Sequence, residues 1–186
     1  MKVFDSLYCG GLIFEDTANG PGIRTSIFIS GCANKCPKCF NKELWDPNHG
    51  IRFTEKVFNK IMKSLKTPYV KGITLLGGDP LYDKNVVGVS MFIDEFKHYL
   101  RNNNMQDKDH IIIYTGYQLE KLCHRMSHRQ YLMNILRKSD ILIDGKYIDK
   151  LKSPELKFRG SSNQRIIDLK KSFKEDKVVI IPEEEI

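Results

Sequence analysis

Cys32-Ala33-Asn34-Lys35-Cys36-Pro37-Lys38-Cys39 places three thiols within eight residues, directly after Gly31, and no other feature restricts the fold as strongly. Four residue steps from Cys32 to Cys36 reach at most roughly 14 Å when extended, so the segment must curl if all three sulfurs are to meet one cluster. Gly31 and Pro37 suit such a curl. Offsets of 0, +4 and +7 also describe one stripe of an amphipathic helix, with cysteine as a small buried hydrophobe. Pro37 opposes that reading, because a proline inside the helix removes a backbone donor and costs about 3 kcal/mol or more. Three thiolates on one short loop suit an iron–sulfur cluster whose fourth iron has no protein ligand and stays open to a substrate or cofactor. Structural zinc is the rival, and it needs a fourth ligand. His49 lies ten residues beyond Cys39, but Asp46, Pro47 and Gly50 mark that stretch as an exposed turn. Zinc knuckles present paired couples, whereas here one Cys-x-x-Cys couple, Cys36 with Cys39, stands alone.

Along the chain, short β-rich apolar runs alternate with longer amphipathic ones. Thr25 to Ser30, Gly72 to Leu76, His110 to Tyr114 and Asp140 to Asp144 read as strands. Thr54 suits the cap of a helix carrying Val57, Phe58, Ile61, Met62 and Leu65. Further helical sequence runs from about Val86 to Leu100 and from Gln118 to Arg137. The alternation predicts βα units around a parallel sheet, an α/β fold. In such a sheet chemistry gathers at the C-terminal strand ends, where the cysteine loop, Gly77 to Pro80 and Thr115 to Tyr117 all fall. Gly77-Gly78-Asp79-Pro80 taken alone reads as a routine strand-to-helix turn.

A chain of 186 residues is most simply one domain, with a short C-terminal extension from about residue 174 that holds one strand candidate, Lys177 to Ile181. The formal net charge of +7 suits an acidic partner surface and equally suits ordinary solubility. Lys121, His124, Arg125, His128, Arg129, Arg137 and Lys138 form the most basic stretch, which reads as a solvated helix face. No aromatic-interleaved basic repeat or zinc-finger spacing points to nucleic acid. The N-terminus lacks an apolar export core, and no run is long enough to cross a bilayer, so a cytoplasmic protein is expected. Five cysteines, three of them clustered, fit a reducing compartment better than a disulfide framework. Cys9 and Cys123 are then spare thiols; Cys123 beside His124 is no nucleophile pair, because adjacent helical residues point different ways.

Cys-x-x-x-Cys-x-x-Cys after a strand resembles the signature of the radical S-adenosylmethionine (SAM) enzymes. Asn19-Gly20-Pro21-Gly22-Ile23-Arg24, Phe40-Asn41, Trp45-Asp46 and Leu76-Gly77-Gly78-Asp79-Pro80-Leu81 are similar, in the same order, to blocks of the family that activates anaerobic (class III) ribonucleotide reductase. So are Tyr114-Thr115-Gly116-Tyr117, Ile143-Asp144-Gly145 and the run from Phe158 through Arg159-Gly160-Ser161-Ser162-Asn163-Gln164-Arg165 to Ile166. The resemblance implies a partial, open β/α barrel, smaller than the eightfold one, with Cys32, Cys36 and Cys39 holding a 4Fe-4S cluster. It also implies that Gly77, Gly78 and Asp79 contact the methionine amino group of SAM, with Thr115 in the same cofactor set. Where many radical SAM proteins carry an adenine-packing aromatic before the third cysteine, this chain has Lys38; its backbone, with the ring of Phe40, is the substitute. Arg24, Asn34, Asn41, Asp144, Arg159 and Arg165 match the family blocks without an assigned role.

By the same resemblance, the amino and carboxylate groups of SAM chelate the open iron, and one electron from a low-potential donor cleaves a carbon–sulfur bond. Methionine and a 5'-deoxyadenosyl radical result, and the radical takes hydrogen from the alpha carbon of a glycine in anaerobic ribonucleoside-triphosphate reductase, the expected partner. The cofactor then supplies the difficult chemistry, and no catalytic residue beyond the cluster ligands is expected. Two alternatives stay open from the sequence: activation of another glycyl radical enzyme such as pyruvate formate-lyase, and a non-catalytic metal-binding module that docks a partner through the basic helix.

Overall fold

A computed structural model describes residues 3–186. Seven strands form one open sheet in the order β3-β1-β2-β4-β5-β6-β7. They are β1 (Tyr8–Asp16), β2 (Ile23–Ile29), β3 (Ile51–Arg52), β4 (Val70–Gly77), β5 (His110–Tyr114), β6 (Ile141–Asp144) and β7 (Arg165–Asp168). The helices are α1 (Glu55–Ser64), α2 (Asp83–Asn102), α3 (Leu119–His124), α4 (Arg129–Lys138) and α5 (Leu169–Glu175). β2, β4, β5 and β6 pair in parallel. β1 and β3 at one edge and β7 at the other pair antiparallel. The α/β class and the four central strands therefore match the sequence reading, while the sheet is mixed rather than all parallel and does not close.

Side-chain alternation explains the layering. Ile73 and Leu75 of β4 and Ile111 and Ile113 of β5 belong to the main core with Phe58, Ile61, Phe92, Phe96 and Ile135 from the helices. The helical repeat that marked Val57, Phe58, Ile61 and Met62 in the sequence is the buried face of α1. Ile112, Ile141, Ile143 and Ile166 form a smaller cluster, against which Tyr114 and Phe158 pack. Buried Arg24 and Thr74 belong to the same alternate set of strand positions as Ile112. Arg24 donates from Nε to Thr74 Oγ1 at 2.8 Å and from Nη2 to the carbonyls of Ile73 and His110 at 2.6 and 2.8 Å. Burial lowers its pKa to about 10, and carbonyl acceptors meet the desolvated cation. Thr74 Oγ1 in turn donates to the carbonyl of Asn19 at 2.8 Å, holding the loop between β1 and β2 against β4.

Three expectations change. The helical run from Gln118 to Arg137 is two helices, because His128 takes a left-handed backbone (φ 52°) between α3 and α4. Its basic side chains are partly engaged within the fold: Arg125 Nη1 donates to the Leu81 carbonyl at 2.8 Å and its guanidinium lies 5.3 Å from the centre of the Tyr117 ring. Lys177 to Ile181 is not a strand but a single bridge, Ile180 opposite Ile167, flanked by backbone bonds to Asp168 and Ile166. None of the helices among the described residues is long and apolar enough to cross a membrane.

Candidate functional site

Because β2, β4, β5 and β6 run the same way, their C-terminal ends meet at one edge of the sheet, and loops leaving all four line a pocket of about 250 Å³. Cys32, Cys36, Cys39, Phe40 and Asn41 come from the loop after β2; Leu76, Gly77 and Gly78 from β4; Tyr114, Thr115 and Gly116 from β5; Gly145 and Tyr147 from β6. Asn19, Asn34, Trp45, Gly160 and Gln164 complete the lining.

The base of the cysteine loop is fixed by backbone bonds. Gly31 N donates to the Leu44 carbonyl at 2.8 Å and Cys32 N to the Trp45 carbonyl at 3.2 Å, so residues 31–45 close on themselves. Asn85, buried at the start of α2, donates from Nδ2 to the carbonyls of Ser30, Gly31 and Asp79, which joins the ends of β2 and β4. Close packing makes Gly78 irreplaceable here: a Cβ would stand 2.7 Å from the carbonyl oxygens of Gly31 and Leu44. Gly77 has a φ of 109°, and its Cβ would meet the Phe28 backbone.

Asp79 has 0% exposure and lies behind the lining, not in it. Its Oδ1 accepts from Thr115 Oγ1 at 2.9 Å and Leu81 N at 3.0 Å. Its Oδ2 accepts from Asn34 Nδ2 at 2.9 Å and Gly116 N at 3.0 Å. One carboxylate thus ties the cysteine loop, through Asn34, to the turn after β5. Burial raises its pKa to about 6 against the lowering effect of those donors.

The other sequence candidates divide by position. Phe40 and Thr115 line the pocket. Lys38, with a positive φ of 56°, points outward and pairs with Asp149 Oδ2 at 2.7 Å. Asn41 Nδ2 reaches the Gly77 carbonyl at 3.4 Å. The Arg159 to Arg165 run folds over the end of β6. Gln164 Oε1 accepts from the amides of Gly160 and Ser161, and Gln164 Nε2 donates to the Gly145 carbonyl at 3.0 Å. Arg159 Nη1 donates to the Gln164 carbonyl at 3.0 Å. Arg165 grips the fully buried Asp144 through Nε and Nη2 and pairs with Glu120 at 2.8 and 2.7 Å. Tyr147 was missed by sequence reading; the signal available was its position just after the β6 strand end.

A bare metal ion needs its ligands within bonding distance of one point, and among the described residues no such trio of His, Cys, Asp or Glu exists. Thiolates around an iron–sulfur cluster attach to separate irons and need not converge in that way. All three cysteines are free and half-buried. Desolvation pushes the Cys32 and Cys36 thiols up, so binding iron would displace their protons. Three cysteines facing one pocket suit a cluster of this kind.

The chain matches the family described as a 4Fe-4S single cluster domain over residues 18–167. It is 36% identical to the anaerobic ribonucleoside-triphosphate reductase-activating protein of Escherichia coli strain K12 over 157 residues, which is 83% of this chain and 94% of that protein. Proteins of the same name are 39% identical in Pasteurella multocida, over 81% of this chain and 90% of theirs, and 35% identical in Enterobacteria phage T4, over 81% and 87%. The chain belongs to this family of reductase-activating proteins.

Proposed function

We propose that this protein is an activating enzyme that uses a 4Fe-4S cluster, held by Cys32, Cys36 and Cys39, and SAM to place a glycyl radical on anaerobic ribonucleoside-triphosphate reductase. The observation that carries the reading is the pocket in which all three cysteines of a Cys-x-x-x-Cys-x-x-Cys loop face the bare backbone of Gly77-Gly78 at the ends of parallel strands. In this reading the open sheet corresponds to the partial β/α barrel of the radical SAM type, with the chain as one domain. When bound, the cluster supplies the electron that splits a carbon–sulfur bond of SAM.

The remaining work belongs to the chain. Gly77 and Gly78 leave backbone groups open to the methionine end of SAM. Phe40, which lines the pocket, is the adenine-packing ring, while Lys38 beside it turns outward to Asp149. Thr115 and Asn41 line the pocket, and Asp79 acts from behind by fixing Asn34, Thr115 and Gly116. Walls formed from four strand ends restrict water around a reactive radical. A low-potential electron donor and a cytoplasmic setting complete the proposal, with no nucleic acid or membrane involved.

Anaerobic reconstitution with iron and sulfide, followed by SAM, a reductant and an anaerobic reductase, tests it. A brown protein that cleaves SAM and leaves a glycyl doublet by electron paramagnetic resonance is expected. A colourless zinc protein, or SAM cleavage with no radical on the reductase, refutes it.

A further inference from the structure

Helices pack on one face of the sheet. On the other face, Ile112, Ile141, Ile143 and Ile166 are covered by Tyr114, Phe158, Ile181 and Ile186, none of which belongs to α1 to α5. Residues 178–186 supply part of that cover as a strap. Asp168 N donates to the Val179 carbonyl at 2.9 Å and Ile181 N to the Ile166 carbonyl at 2.8 Å, along the outer edge of β7. Beyond Pro182, the Glu183 carboxylate pairs with Arg159, and Lys157 Nζ donates to the carbonyl oxygens of Glu183 and Ile186 at 3.1 Å each.

A chain of bonds leads from this strap to the pocket. Arg159 Nη1 donates to the Gln164 carbonyl at 3.0 Å. The Gln164 side chain holds the amides of Gly160 and Ser161 and the carbonyl of Gly145, and Gly145, Gly160 and Gln164 all line the pocket. Phe158, next to Arg159, packs in the same apolar cluster as the strap, and its carbonyl accepts from the hydroxyl of Tyr114, another lining residue, at 2.7 Å. Behind this wall lies a second cavity of about 240 Å³, which shares Asn19, Tyr114 and Gly160 with the first. The wall therefore has room to shift when its ties are released. Those ties are light: Glu183 is exposed, so its ion pair is weak, and Arg159 Nε is buried with no acceptor among the described residues. A segment held in this way opens more readily than the sheet beneath it.

We propose that residues 178–186 form a releasable strap whose closed state, through Glu183, Arg159 and Gln164, sets the pocket wall that receives SAM, so that strap closure and SAM binding favour each other. The inference rests on the proposed function and adds two positioning residues, Arg159 and Glu183, that lie outside the pocket lining. Coupling of this kind is reciprocal: the factor by which a closed strap raises SAM affinity is the factor by which SAM favours closure.

The double variant Ile181→Asp with Glu183→Lys releases the strap from its apolar and its ionic side, while Glu183→Lys alone leaves the apolar side intact. SAM is titrated calorimetrically into the intact, cluster-loaded chain without reductant, so that none is cleaved. The dissociation constant should rise about five-fold or more in the double variant and less in the single one, while cleavage at saturating SAM keeps the wild-type rate. In the wild type, SAM should slow hydrogen exchange of the Asp168 and Ile181 amides, which bond along the strap; a segment that merely covers the sheet gives no such response. Wild-type SAM affinity in both variants, or exchange at those amides that ignores SAM, overturns the strap and leaves the proposed function standing. If the double variant loses its fold, the single variant and the wild-type exchange decide. A wild-type chain that binds no SAM overturns the proposed function and the strap with it.

Discussion

Asp79→Asn should change how stability depends on pH while leaving stability at pH 7 close to wild type. The folded carboxyl titrates at about 6 because it is fully buried, against about 3.9 for a free aspartate. The folded state therefore holds an extra proton between about pH 4 and pH 6, so stability increases as pH falls through 6 and is withdrawn as pH rises. Above pH 6 the buried charge costs about 3 kcal/mol relative to the protonated form. Between pH 5 and pH 7 the share of that cost is about 1 kcal/mol. An asparagine has no such charge, but its amide group replaces one of two accepting oxygens. If its oxygen keeps Thr115 and Leu81, its amide faces Asn34, which can flip, and the Gly116 amide, which cannot. One orphaned backbone N–H costs about 1–3 kcal/mol, nearly cancelling the relief of the charge. Urea unfolding of the cluster-free protein at pH 5 and pH 7, wild type beside variant, reads both quantities. The wild type should lose about 1 kcal/mol more than the variant over that interval. An equal pH 5 to pH 7 difference in the two proteins would refute the account of Asp79 as a carboxyl whose burial outweighs its four hydrogen bonds.

Cys36→Ala should abolish both cluster binding and SAM cleavage, since it removes one of three thiolate ligands; full cleavage by that variant would show that Cys36 holds no cluster. Arg165→Ala should destabilise by about 3–5 kcal/mol, because it leaves the fully buried Asp144 without its charge partner. Chemical denaturation of the variant checks this, and a loss below about 1 kcal/mol would mean that the pair is no more than a surface contact.

Local chemistry made much of this molecule legible in advance. His110–Tyr114 appears as read, and the other three parallel strands differ from their expected bounds by a few residues, because buried central strands are continuous apolar runs. β1 escaped notice: Gly10-Gly11 interrupts it, and its burial follows no clean alternation. β7 is only four residues long and pairs antiparallel with β6, with Arg165 opposite Asp144, a partner that no local pattern names. Arg159, Gln164 and Arg165 were visible as a block, yet their bonds span the loop after β6 and carry no periodic signal.

What the chain decides by itself is the local ligand set: three thiols spaced by three and two residues, a proline that forbids a helix through them, and glycines where backbone must be bare. Tertiary structure alone decided which distant segments share that pocket. Parallel pairing brings the ends of β2, β4, β5 and β6 to one edge, and only there does Asp79 find Asn34, 45 residues earlier, and Gly116, 37 residues later. A buried carboxylate gathers donors by proximity in space, which residue spacing along a chain does not encode.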